Sequence, residues 1–380
     1  MDKISQLPDD VLVKVLSFLP TKDAASTSIL SKRWEFLWMW LPKLDYGYSD
    51  YSVSQGRSLQ RFIDLNLPLH QAPIIESLRL KFSNGAVGSI KPEDIEKWLS
   101  VALHFCLVSK SLVILKLEDE VLVEVHRMVC LPSLKTLSLR RVTYSAENTL
   151  HRLLSNCPVL ENLFVERDNI DNLGILRVIV KSLQRLTLRM SSSCYLDGIM
   201  IDTPSLKYLE VSDERLESDS DDESDSDSPR FSYSFGDMPK LEVANFVLTF
   251  QNIKKFFTKI TSVKRLYLCL GVYTEEAFYQ EGIVFNQLEH LRICPCDSSW
   301  SILLARLLKD SPNLREIEAN LIYMDVAKYI LRNARCLKTA TILFSPDYSH
   351  ETRDEMIQEL SLSFRGSATC QLLFTEECDS

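Results

Sequence analysis

The 380-residue sequence lacks the marks of a membrane protein, a disulfide scaffold or an enzyme. No apolar run approaches the ~18 residues that a membrane-spanning helix needs. Asp2 and Lys3 stand ahead of a proline-punctuated segment, which is not the layout of a secretory signal. These absences point to the cytoplasm or the nucleus. The ten cysteines contain no CxxC pair and fit reduced, mostly buried thiols. Cys294-Pro295-Cys296, with His290 nearby, is the one local cluster with metal-ligand character, and it has no second pair at suitable spacing. No metal and no cofactor is expected. HExxH, GxSxG and GxxxxGK(S/T) frames are absent, and the six histidines are dispersed. Cys157 lies six residues from His151, but within NCPVLENL it reads as a small packing residue and not as a nucleophile. The chain is expected to be non-catalytic.

A basic excess is missing too. The net charge is −9, and Asp213–Ser228 (DERLESDSDDESDSDS) supplies −8 of it, with nine acidic residues and one arginine. The remainder is near neutral, which argues against a nucleic-acid binder. With one apolar residue, Leu216, the acidic insert cannot offset its ordering entropy by burial and is expected to be disordered. Ser218, Ser220, Ser224 and Ser226 sit among carboxylates and suit acidophilic kinases. A solvated spacer is the other reading.

What is present is a repeat. IESLRLKF, SLVILKLED, PSLKTLSLR, PVLENLFVE, SLQRLTLRM, PSLKYLEVS, PKLEVANFV, SVKRLYLCL, NQLEHLRIC, PNLREIEAN and CLKTATILF share the frame apolar-x-x-apolar-x-apolar. Their first positions run from Ile75 to Leu337, and most intervals fall within the 20–29 residues of leucine-rich repeats. Each frame predicts a short strand burying its three apolar positions. Ala146–Ser155, Ser301–Asp310 and Asp325–Ala334 carry helical periodicity, and a further helix is expected around Glu93–Phe105. The expected fold is an α/β leucine-rich-repeat solenoid: a curved parallel sheet with helices on its outer side.

The third, fifth and seventh frame positions should face away from the core. Basic residues there are Arg79, Lys81, Lys116, Arg140, Arg185, Arg189, Arg265 and Arg292; acidic ones are Glu118, Glu166, Glu210, Glu316 and Glu318. Phe164, Tyr208 and Tyr267 share this face. Arginine with aromatic residues is a hot-spot mixture. Arg140, Phe164, Arg185, Arg189, Tyr208, Arg265, Tyr267 and Arg292 are therefore expected to bind a protein client with an acidic or phosphorylated segment. Ordinary solvated sheet residues are the alternative.

Ahead of the repeats, LPDDVLVKVLSFLP is apolar on two sides. Leu12, Val15, Leu16 and Leu19 form one stripe, and Val11, Val15 and Phe18 widen it. Residues 4–42 read as three short helices, the second across Asp23–Ile29 and the third from Ser31 through Trp40. Three short helices cannot internalise this many leucines and tryptophans, so a partner is implied.

The stretch ISQLPDDVLVKVLSFLPTKDAASTSILSKRWEFLW resembles an F-box of the plant F-box/leucine-rich-repeat type. The resemblance implies binding to a Skp-type adaptor and, through it, to cullin and RING subunits of a ubiquitin ligase, with the repeats recognising a substrate. It places Leu7, Pro8, Leu12, Leu16, Leu19, Ile29, Leu30, Ser31, Trp34, Leu37 and Trp38 on the adaptor surface or beneath it. SPNLREIEA, YILRNARCLKTATILF and FRGSATCQLLF are similar to the FBD region of such proteins, though the tryptophan-containing stretch usual in that region is absent. The expected organisation is an F-box over 1–44, a linker over 45–73, repeats over 74–320 with the insert at 213–228, and an FBD-like region over 311–374. A leucine-rich scaffold that does not promote degradation would need the same two surfaces.

Overall fold

The structure, a computed structural model, describes residues 4–47, 56–81, 111–119, 121–123, 130–168, 171, 173–214, 232–248, 257–270, 282–295, 300–320, 324–344 and 349–376. The chain divides into two units, Met1–Leu183 with Ser193–Leu196, and Gln184–Ser192 with Asp197–Ser380. The helix expected at Glu93–Phe105 lies outside the described residues.

Unit 1 opens with α1 (Asp9–Leu16) and α2 (Thr21–Ser26). Asp9 and Asp10 occupy the first turn of α1, where negative charge meets the positive end of the helix dipole. Pro20 precedes α2 and fixes the chain direction between the helices. The expected third helix does not form. Residues 32–36 are turns, and Leu37–Trp40 is a single 3-10 segment. Pro42 limits the segment on one side, since it disfavours helical backbone at the preceding residue and Leu41 is extended (φ −65°, ψ 128°). Leu12, Leu16, Ala24, Leu37, Trp38 and Leu41 close into a small core.

Five parallel strands follow in this unit: β1 (Lys43–Tyr46), β2 (Ser77–Lys81), β3 (Ile114–Glu118), β4 (Thr136–Arg140) and β5 (Asn162–Arg167). Along its long sheet unit 2 carries eight among the described residues: β6 (Arg185–Met190), β7 (Tyr208–Asp213), β8 (Val243–Leu248), β9 (Arg265–Leu270), β10 (His290–Pro295), β11 (Glu316–Asn320), β12 (Thr339–Phe344) and β13 (Gln371–Glu376). Each pairs in register with the next. The three apolar positions of every one of the eleven sequence frames are at most 6% exposed. Burying them all on one side is what makes the frame a strand with a single core face.

The segment expected as a linker starts inside the sheet. β1 pairs with β2, and Leu41, Leu44 and Tyr46 are buried in the same apolar-x-x-apolar-x-apolar spacing as the other frames. The N-terminal helices are fastened to it. The Asp45 amide donates to Thr21 Oγ1 at 2.8 Å, and the amides of Gln71, Ala72 and Glu76 donate to the carbonyls of Met39 and Pro42. Residues 56–66 form α3 (Gly56–Asn66), followed by a 3-10 turn at Leu67–Leu69.

Among the described residues, the layer behind the sheet combines helices and strands. α4 (Thr149–Ser155) buries Leu150, Leu153 and Leu154, and α6 (Met324–Asn333) buries Val326, Ala327, Ile330 and Leu331. α5 (Trp300–Asp310) precedes β11, and α7 (His350–Ser361) precedes β13. In the middle repeats the back is made of strands instead. Ile175–Ile179 lies in unit 1, and Gly198–Asp202 pairs with Ser232–Phe235 in unit 2. ILRVI alternates buried and solvent-facing residues with period two, which suits a half-buried strand and leaves a helix no continuous stripe.

His70 sits at the junction between the helices and the sheet and is 4% exposed. Burial pushes its pKa down to about 4, outweighing the Leu41 backbone. The unfolded chain therefore binds a proton below the ordinary value of 6.5 that the folded chain refuses, and stability falls as pH drops through that window. The loss should approach about 3 kcal/mol by pH 4. Urea unfolding at pH 7 and pH 4.5 checks this. His70→Leu should remove most of the pH dependence; an unchanged dependence would place its origin elsewhere.

Candidate functional site

The apolar stripes of α1 separate cleanly in space. Leu12 and Leu16 are buried with Leu37 and Trp38, while Leu7 and Trp34 pack partly against that cluster. Pro8, Leu19, Ile29, Leu30 and Ser31 are exposed. Of the eleven residues assigned by resemblance, four thus support the module, two straddle its edge and five face solvent. Outside that set Ile4, Phe36 and Trp40 are exposed too, as are Val11, Val15 and Phe18, which are spaced i, i+4, i+7 on α1 and its C-terminal turn. Phe18 and Ile29 are 79% and 87% exposed. That spacing, visible in the sequence as the second stripe, was the signal for Val11, Val15 and Phe18. Arg33 fixes the turn beneath by donating to Asp9 Oδ1 (2.7 and 2.9 Å) and to the Leu7 carbonyl.

On the open face of the sheet, the side away from the frame residues, the expected basic surface is largely neutralised. In unit 1, Arg79 bridges Glu118 at 3.1 Å and Asp45 at 3.5 Å, and Arg140 bridges Glu166 at 2.9 Å. Burial opposes ionisation of Glu118, but the Arg79 hydrogen bond together with the charges of Arg79, Arg140 and Lys81 holds that carboxyl below the usual range. In unit 2, Arg189 meets Glu210 at 2.9 Å, His290 meets Glu316 at 2.9 Å, and Arg292 approaches Glu318 at 3.8 Å. In-register pairing is the cause, because it sets each frame position beside the same position of the next repeat. Arg185 and Arg265 have no carboxylate partner among the described residues. Arg185 lies 3.8 Å above the Tyr208 ring, and Arg292 lies 5.1 Å from that of Tyr267.

Unit 2 gathers six of the eight expected client residues. A depression of about 620 Å³ is lined by Arg189, Glu210, Glu214, Asn245, Tyr267 and Arg292 among others. A second, of about 360 Å³, shares Asn245, Tyr267 and Arg292 and adds Arg265, His290, Glu316 and Glu318. Tyr208 connects to both through its hydroxyl, which donates to Glu210 at 2.7 Å and accepts from Asn245 at 3.1 Å. Arg140 and Phe164 form their own pair in unit 1, at 5.5 Å. The chemistry on offer is a polar, mixed-charge trough with two arginine–tyrosine stacks.

The acidic insert begins later than expected. Asp213 is fully buried as the last residue of β7 and accepts a hydrogen bond from the Tyr233 hydroxyl at 2.8 Å. Ser218, Ser220, Ser224 and Ser226 lie outside the described residues. Cys157 is buried, its thiol donates to the Leu153 carbonyl at 3.2 Å, and burial pushes its pKa up to about 12. At neutral pH it is a protonated packing group. Cys294 lies in β10, and Cys296 falls outside the described residues. Among the described residues there is no group of three or more metal-ligating side chains and no helix long and apolar enough to cross a membrane.

Comparison with known proteins assigns all three regions. Residues 4–46 match the F-box domain, residues 75–248 match the LRR repeats of an FBD-associated F-box protein, and residues 314–342 match the FBD. The FBD match coincides with β11, α6 and the start of β12, so this region continues the strand-and-helix pattern of the repeats. An F-box/FBD/LRR-repeat protein of Arabidopsis thaliana is 61% identical over 98% of this chain and 100% of its own length. An F-box/LRR-repeat protein of the same plant is 66% identical over 77% of this chain and 85% of its own length. An FBD-associated F-box protein, also from Arabidopsis thaliana, is 44% identical over 99% of this chain and its own full length. With its N-terminal module, its stacked frames and its C-terminal strands all accounted for, the chain belongs to the plant F-box/FBD/LRR-repeat proteins.

Proposed function

We propose that the chain is the substrate-recognition subunit of a Skp–cullin–F-box ubiquitin ligase. The N-terminal module takes the Skp-type adaptor, and the open face of unit 2 takes a protein client. The observation that carries the reading is that the module closes its own core and still leaves Phe18, Ile29 and Leu30 in solvent. Single exposed apolar residues are common, but large ones on so small a module favour a protein partner. The chain's contribution to ubiquitin transfer is then proximity, raising the client's effective concentration at the ligase. Pairing of the open-face cations with carboxylates weighs against nucleic acid as the ligand there, since it leaves little free positive charge to meet a phosphate backbone. The client contacts most open to a new partner are Arg185 and Arg265.

Reconstitution tests this directly. The full chain mixed with a purified Skp-type adaptor should elute as a 1:1 complex, and adding cullin and RING subunits should yield one larger assembly. Failure to bind any adaptor of this type would remove the ligase role and leave a repeat scaffold.

A further inference from the structure

On the helical side of unit 2, away from the open face of the sheet, a groove of about 670 Å³ runs beside α5, α6 and the turns that follow them. Arg306, Lys309 and Arg335 line it, and its twelve lining residues include no carboxylate. Between these cations the floor is mostly alanine, leucine and proline, with Tyr329 39% exposed. Ser311 also lines it; that residue is 3% exposed, and its hydroxyl has no hydrogen-bond partner. Buried hydroxyls are normally satisfied, so an unpartnered one at the wall of a groove is a specific feature.

We propose that this groove binds an acidic linear peptide segment of a partner protein, with Lys309 and Arg335 meeting carboxylates and an apolar side chain seated between the helices. Lys309 and Arg335 make no ion pair among the described residues. Lys309 lies in the last turn of α5, where a cation also answers the negative end of the helix. That explanation covers one residue only. Arg335 lies beyond the last residue of α6, and helix-end electrostatics does not account for a lining without any acid. A cationic rim over an apolar floor selects against basic and neutral peptides by leaving their charges or polar groups unpaired. The site is independent of adaptor and client binding, since none of its lining residues belongs to the F-box or to the open-face trough.

Cys336 provides the readout, because it lines the groove and is exposed; Cys130, exposed in unit 1, is the internal reference. The probe is a display library of short random-sequence peptides selected on the full chain, from which peptides rich in aspartate and glutamate with one leucine or phenylalanine should emerge. Selected peptides should slow alkylation of Cys336 and leave Cys130 unchanged. The double variant Lys309→Glu, Arg335→Glu should weaken their binding by at least about tenfold, as should moving from low to high salt. The milder Lys309→Gln, Arg335→Gln variant guards against misfolding and should show a smaller loss in the same direction. Selection of basic or uncharged peptides would overturn the proposal. So would acidic peptides that bind without protecting Cys336, or protection that survives in a folded charge-reversed variant. Protection of Cys336 by raising the concentration of the chain alone would also overturn it, in favour of self-association.

Discussion

Replacing Arg167 by alanine should destabilise unit 1 by about 3–5 kcal/mol, among the largest effects available to a single substitution in this chain. Arg167 ends β5, and both it and Asp171 have almost fully buried side chains. The guanidinium donates to both carboxylate oxygens of Asp171, to Oδ2 at 2.5 Å, and to the Leu173 carbonyl at 2.7 Å and the Tyr195 carbonyl at 3.3 Å. Tyr144 is buried close by, and its pKa is raised by burial and by the Asp171 charge, with Arg167 opposing. Without the arginine, Asp171 is left as a charge in a low-dielectric site with the Leu173 amide and no cation beside it. The cost arises from that stranded charge more than from the pair itself, which implies a second result. Arg167→Met with Asp171→Asn removes both charges, and the asparagine keeps an acceptor for the Leu173 amide, which now donates to Asp171 at 3.1 Å. The double variant should recover most of the loss, the remainder reflecting two carbonyls without their donor. Urea midpoints of the three proteins decide it: a single-variant loss below about 1 kcal/mol, or a double variant no better than the single, would contradict the account.

The second large effect is on binding and rests on the ligase reading. Phe18→Asp with Ile29→Asp alters two side chains that are mostly in solvent, so the fold should change by no more than about 0.5 kcal/mol. Adaptor affinity should nonetheless fall by about a hundredfold or more, as expected when apolar anchors near the centre of an interface become charges. Leu16→Asp is the contrasting control. Leu16 is 1% exposed within the module's core, so a carboxylate there unfolds the three packed segments and abolishes binding indirectly. Calorimetric titration with the adaptor, alongside the circular dichroism of each variant, separates the two routes. Full-strength binding by the folded Phe18/Ile29 variant would mean that the adaptor uses a different surface.

Much of the architecture was legible because the repeat frame states burial position by position. Ile75, Leu78 and Leu80, and the ten triplets after them, needed no tertiary information to be placed inward. The frame Leu41-x-x-Leu44-x-Tyr46 obeys the same rule, but it begins next to Pro42 at the end of the N-terminal helical segment, where the two patterns overlap. A capping Ser31 and the spacing of Trp34, Leu37, Trp38 and Trp40 suit a third helix, but residues 32–36 form turns and Leu41, ahead of Pro42, is extended. The back strands at Ile175–Ile179 and Gly198–Asp202 lie outside what the frame encodes, since the frame specifies only the outward leg of each repeat and not how the chain returns. Charge pairing on the open face was beyond reach of any one frame. Arg189 and Glu210 become neighbours only when β6 and β7 align, and that register is a property of the stacked sheet.

The hydrogen bond from the Asp45 amide to Thr21 Oγ1, with those from residues 71–77 to Met39 and Pro42, has a mechanical meaning. The N-terminal helices do not swing from a tether; they are an arm without an elbow, sharing one rigid joint with β1 and β2. Whatever docks on Phe18 and Ile29 inherits its bearing from the first two strands of the sheet. Residues inserted between Leu41 and Lys43 would rotate that bearing, and residues inserted beyond Gly47 would leave it unchanged.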